Sequence, residues 1–192
     1  MLGKISRKIV DRLLKKGTII QEEYEVYSFG MEQLLTVIVD CFTAILIGIV
    51  FGKVVEMLFF VSAFIIIRSY AGGYHASTPL RCYLLTTLIN IIVLSVMKFI
   101  KLDMIIVIGL LVIASIVILL MSPVDTKNKP IDDIEYLYYR KKTIIVWSIE
   151  VIIALVSAIF PFRAGTESIV YAQVVLSVSL VCERIIQLRK DK

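Results

Sequence analysis

Apolar positions in this chain come in long uninterrupted runs, and polar positions gather in the gaps between them. Six runs stand out, over residues 34–51, 54–67, 83–97, 104–121, 143–160 and 168–182. A soluble core has no use for runs of this length, whereas a helix crossing a bilayer needs about 20 apolar residues. Backbone in lipid must satisfy its own hydrogen bonds, so the spanning element is a helix. The pattern predicts an all-α polytopic membrane protein with six transmembrane helices. Several runs fall short of a full crossing, and their helices are expected to extend into flanks where Lys and Arg can snorkel. The second run is the least regular, because Glu56 lies inside it.

A different periodicity precedes the first run. Leu2, Ile5, Ile9, Leu13 and Leu14 recur at helical spacing among Lys4, Arg7, Lys8, Arg12, Lys15 and Lys16. This reads as a basic amphipathic helix on a membrane surface rather than a secretory leader. The expected organisation is one membrane-embedded unit over 1–192: a cytoplasmic lead-in over 1–30 and a helical bundle over 31–190.

Composition agrees. The 192 residues are 59% hydrophobic and 19% charged, with mean hydropathy +0.91. The net charge of +5 points to anionic lipid headgroups as the simplest partner, with no call for nucleic acid. Placing the N-terminus inside leaves only Lys53, Lys98, Lys101 and Arg163 outside, and 17 of the 21 Lys and Arg inside. The positive-inside rule therefore favours cytoplasmic termini. Cys41, Cys82 and Cys182 are too few and too far apart for a disulfide framework or a metal cluster, so no cofactor is expected. Cys41 and Cys182 sit in apolar helical settings and read as small packing residues.

The candidate chemistry lies in the connection that follows the second run, Arg68-Ser-Tyr-Ala-Gly-Gly-Tyr-His-Ala-Ser-Thr-Pro-Leu-Arg-Cys82. It holds the only His of the chain, His75, seven residues before Cys82. A thiol is mostly protonated at neutral pH, and a nearby imidazole can take its proton. Arg81 adds positive charge beside the sulfur. On one straight helix seven residues rise about 10.5 Å, so the two side chains meet only if the chain bends between them. Pro79 disfavours a continuous helix there, and Gly72 and Gly73 permit unusual backbone angles. A re-entrant or interfacial loop fits; the plain alternative is an incidental His near a Cys at a membrane edge.

Other polar residues lie within the runs, among them Asp40, Asn90 and Glu150. All three fall roughly 9–10 Å from the cytoplasmic ends of their helices. Polar groups at such depth face a cavity or a partner. They can line one vestibule open to the cytoplasm, or each can make an isolated interhelical hydrogen bond.

The run Arg-x-Tyr-Ala-Gly-Gly-Tyr-His-Ala with its following Cys82 resembles the accessory gene regulator B (AgrB) family of Gram-positive bacteria. The later Ser122-Pro-Val-Asp-x-x-Asn-Lys-Pro130 is similar to a second family signature, and Glu25-x-Tyr27-x-x-Gly30-x-Glu32 to a third. The resemblance implies a cysteine endopeptidase of the cell membrane that processes an AgrD-like precursor into a cyclic quorum-sensing peptide. It assigns catalysis to His75 and Cys82. It places Arg68, Gly72, Gly73, Asp125 and Lys129 on supporting motif positions, and it makes a homodimer plausible. A small transporter or peptide exporter without proteolytic activity is the rival reading; it accounts for the spans and leaves the His–Cys loop idle.

Overall fold

The computed structural model describes residues 2–74, 76, 78–124, 132–160 and 162–190. Among these, the chain forms seven α-helices and no β-strand: α1 (Leu2–Lys15), α2 (Tyr24–Phe51), α3 (Val54–Ala71), α4 (Pro79–Phe99), α5 (Met104–Met121), α6 (Asp133–Ile159) and α7 (Arg163–Lys190). Six of them, α2 to α7, are long and apolar enough to cross a membrane. All six apolar runs are helical, and most helices outrun them. The 28 residues of α2 reach about 42 Å, well beyond a hydrocarbon core.

The connections alternate in length. Gly52–Lys53 and Ile100–Asp103 are short connections at one end of the bundle, where α6 also ends and α7 begins. The α2–α3 turn is closed by Gly52 in the left-handed conformation (φ 67°), where a Cβ would be strained. Glu56 is no anomaly at membrane depth: it lies in the first turn of α3 and pairs with Lys53 at 2.5 Å. Beside the next turn, Arg163 pairs with Glu167 and donates to the Leu102 carbonyl. The ends of α3 and α5 and the starts of α4 and α6 lie at the other end, with the C-terminus of α7 and the start of α2.

Helix α7 is central. It packs on α3, α5 and α6, and its Ile169, Val170, Ala172, Leu176 and Leu180 are buried. Shielding from lipid lets it also carry Thr166, Ser168, Gln173 and Ser177 in buried positions. Polar ties cross between helices, Trp147 Nε1 to Ser115 Oγ at 3.0 Å and Thr166 Oγ1 to the Ala154 carbonyl at 3.2 Å. Helix α4 packs chiefly on α2 and touches α3 only sparingly. That leaves a gap between α2, α3 and α4.

Helix α1 departs from the expected free surface helix. Ser6 and Val10 are fully buried, one turn apart on the face that meets α2, and Tyr24 Oη donates to Asp11 at 2.8 Å. The apolar stripe is thus shared: part covers the lead-in of α2, while Ile5 stays exposed beside the basic residues.

Candidate active site

The site begins where α3 ends. Gly72 has φ 78° and Gly73 φ 126°, a region that L side chains rarely enter. Both glycines are needed for close approach as well. A Cβ on Gly72 would lie 2.5 Å from the Val124 carbonyl oxygen, and one on Gly73 would lie 2.7 Å from Ser179 Oγ. Val124 N–H donates to the Ala71 carbonyl at 3.1 Å, and Gly72 and Val124 form a single parallel bridge. The two connections that carry the motifs therefore meet backbone to backbone.

The chain is pinned again one residue before His75. Tyr74 N–H donates to Ser179 Oγ of α7 at 2.9 Å, and Arg68 Nη2 donates to the Tyr74 carbonyl at 2.6 Å. The Arg68 guanidinium lies over the Phe64 ring, 5.3 Å from its centroid. The second motif segment has its own anchor, Arg140 of α6, which donates to the Ser122 carbonyl. His75, Asp125 and Lys129 lie outside the described residues.

The helical path is interrupted ahead of Cys82. Helix α3 stops at Ala71 and α4 restarts at Pro79. Pro is tolerated at a first helical position because its missing N–H has no partner to lose there. Thr78 caps the helix, its Oγ1 accepting from Arg81 N–H at 3.3 Å. Arg81 itself is exposed. Cys82 sits in this first turn, its N–H bonded to the Thr78 carbonyl at 3.1 Å.

Cys82 opens onto a cavity of about 330 Å³ in the gap between α2, α3 and α4. The lining follows helical periodicity. Cys82, Thr86 and Asn90 come from one face of α4; Gln33, Thr36, Asp40 and Ala44 from α2; Phe60, Phe64 and Arg68 from α3. Gly72, Tyr70 and Val124 close the loop side, with Tyr139 from α6. Arg68 lies within electrostatic reach of both Cys82 and Asp40. Asp40 Oδ1 is buried and has no hydrogen-bond partner among the described residues.

Two expectations need correction. Glu150 shares the depth of Asp40 and Asn90 but is not on this wall: it is buried and accepts from Gln173 Nε2 of α7 at 3.4 Å. Depth along a helix fixes height but not facing, and α6 packs on α3 and α7, away from α2 and α4. Cys41 is not enclosed in packed interior; it is half-buried and lines the same cavity as Cys82, while Cys182 is exposed on α7. Ser179, Arg140, Tyr139 and Thr86 were not singled out by sequence. Small or basic residues in a helix carry no signal of what they touch.

The fold and this cavity define a multi-pass helical membrane protein with a thiol-bearing site at the long-loop end of its bundle. The model of the family Accessory gene regulator B matches residues 6–186, and the chain belongs to that family. Two similar proteins come from Clostridium perfringens. "Putative AgrB-like protein 2" of strain 13 is 27% identical over 173 residues, covering 86% of this chain and 81% of that protein. "Putative AgrB-like protein" of strain SM101 is 27% identical over 192 residues, covering 95% and 90%. No solved structure matches this one. Membership places the chain in quorum sensing and in accessory gene regulator peptide processing, with an AgrD-like precursor as partner.

Proposed function

We propose that this chain is a membrane cysteine endopeptidase in which Cys82 is the nucleophile and His75 its base. The observation that carries the reading is the setting of Cys82: it lies in the first turn of α4, on a cavity it shares with Arg68. Helix N-termini favour negative charge. Arg68 and Ser179 hold the Tyr74 peptide, so the residue next in sequence, His75, leaves from a fixed point. In the same way, the Gly72–Val124 contact sets the starting point of Asp125, which is suited to orienting an imidazole, with Lys129 close behind in sequence.

In the reaction, His75 takes the Cys82 proton and the thiolate sulfur adds to a backbone carbonyl of the precursor. The oxyanion that forms is matched by the guanidinium of Arg68. The carbon–nitrogen bond then breaks, His75 protonates the departing amine, and the C-terminal piece leaves while the rest stays as a thioester on Cys82. A thiol or hydroxyl within the acyl piece attacks the thioester carbon, the bond to Cys82 sulfur breaks, and a thiolactone or lactone departs. Closure competes with hydrolysis, and a cavity walled by Phe60, Phe64 and Ala44 favours closure by limiting water. The charge distribution of the chain supports a cytoplasmic location for this end of the bundle, with both termini inside.

The test is to incubate a precursor with the purified chain in lipid vesicles and look for a thioester on Cys82 by mass spectrometry. Cys82→Ala and His75→Ala should both abolish cleavage. Undiminished cleavage by Cys82→Ala defeats the proposal. A non-proteolytic exporter would move precursor across the vesicle membrane without cutting it.

A further inference from the structure

The cavity beside Cys82 is more than a recess for one sulfur atom. Cys82, Thr86 and Asn90 share one face of α4, and the rise from the first to the last is roughly 12 Å. The space therefore runs from the nucleophile into the bundle, away from the loops. A passage of this kind serves only one side of a scissile bond. The amine piece must leave once the bond is cut, and the loop end, at Tyr70, Gly72 and Tyr139, is its way out. The acyl piece stays attached to Cys82, so it is the one that lies inward.

The wall it would meet is apolar along Ala44, Phe60 and Phe64 and polar at Asp40, Thr86 and Asn90, and of these Asp40 stands out. Among the described residues, Asp40 Oδ1 is buried in the lining with no donor. An acceptor left unmatched at this depth is costly, which is a reason to expect that an occupant supplies the donor. A carboxylate oxygen accepts as readily from a neutral N–H, so the missing partner need not be a cation. A peptide inserted here carries a neutral N–H every residue.

Building on the peptidase reading above, we propose that Asp40 is a substrate-binding residue: it accepts a hydrogen bond from a backbone N–H of the acyl segment, which occupies the cavity between α2, α3 and α4. Asp40 thereby fixes the register of the peptide against Cys82.

The test uses acetyl-Ala-Ala-Leu-Phe chloromethyl ketone, whose alkylation of a thiol is accelerated where its peptide binds as an acyl segment, on the full chain in phosphatidylcholine–phosphatidylglycerol vesicles. Mass spectrometry separates labelling of Cys82 from labelling of Cys41. Versions N-methylated at one amide at a time remove one donor each. In the wild-type chain one methylation should slow Cys82 labelling by about tenfold or more, as expected for a bond to a charged acceptor, and the other positions little. Asp40→Leu should slow the unmethylated peptide by the same factor and be indifferent to that methylation. Asp40→Asn, which keeps an acceptor, should fall between. Iodoacetamide labelling of Cys82 should be unchanged in both variants, showing that the fold and the thiol are intact.

Equal rates for all peptides on the wild-type chain would overturn the proposal and leave the cavity to lipid. So would failure of the unmethylated peptide to label Cys82 where iodoacetamide succeeds. An Asp40→Leu loss that still adds to the effect of methylation would reduce Asp40 to a partner of Arg68. The peptidase reading is judged separately by the precursor thioester. If that forms while methylation has no effect, only the role of Asp40 falls.

Discussion

Replacing Gly72 with Ala is the sharpest test of how the two motif segments are joined. The new Cβ would stand 2.5 Å from the Val124 carbonyl oxygen, which is backbone and cannot swing aside like a flexible side chain. It would also be held at φ 78° and ψ −147°, a region essentially reserved for glycine and costing about 1–3 kcal/mol for other residues. Relief requires the segments to part, which stretches the bond from Val124 N–H to the Ala71 carbonyl, worth about 1 kcal/mol net. The local penalty is thus about 2–4 kcal/mol, concentrated at the junction. The helices themselves are untouched, so melting in detergent should shift only modestly. Precursor cleavage should fall steeply, because a displacement of about 1 Å in a reacting group costs on the order of 10²-fold. Gly109→Ala is the control: it lies within α5 and its Cβ would meet nothing within 4 Å. Cleavage measured in vesicles, beside the melting curve and iodoacetamide labelling of Cys82, separates a displaced site from an unfolded chain. Gly72→Ala cleaving at the wild-type rate would refute the claim that this contact positions the catalytic segment.

Three further substitutions follow from the same geometry. Arg68→Lys keeps the charge but cannot reproduce a planar guanidinium that stacks on Phe64 while reaching the Tyr74 carbonyl; single-turnover cleavage should drop at least about tenfold, and a loss under twofold would count against a role in the site. Ser179→Ala removes the acceptor for Tyr74 N–H; an unsatisfied buried donor costs about 1–3 kcal/mol, so both melting temperature and cleavage should decline, with Ser179→Thr restoring part of each. Glu150→Gln should leave cleavage unchanged, since Glu150 meets Gln173 and not the cavity; a tenfold loss would show that α6 communicates with Cys82.

Much of the architecture was readable in advance because lipid imposes a single rule, that each crossing be a long apolar helix. The six runs mark the six helices, and the helix break between Ala71 and Pro79 follows from Gly72, Gly73 and Pro79. Helix ends were less readable. Helix α3 runs on through Arg68 to Ala71, because nothing before Gly72 forbids helical angles and Arg68 finds partners at that end. Neighbourhood was the least readable property. Periodicity tells which residues share a face, but not which helix that face meets. Asp40 and Asn90 share the cavity and Glu150 does not, for that reason alone. Ser179 has a visible part in the site only once α7 is seen to occupy the centre of the bundle.

The parallel bridge between Gly72 and Val124 has a practical consequence for anyone recombining relatives. Stretches that are some fifty residues apart in sequence here behave as one module, clasped further by Ser179 from α7. A hybrid that imports the first stretch from one homologue and keeps the second from another will mismatch at the clasp, even when each helix inserts normally. Swapping residues 68–82, 122–124 and 179 as a set is the exchange that keeps the clasp intact.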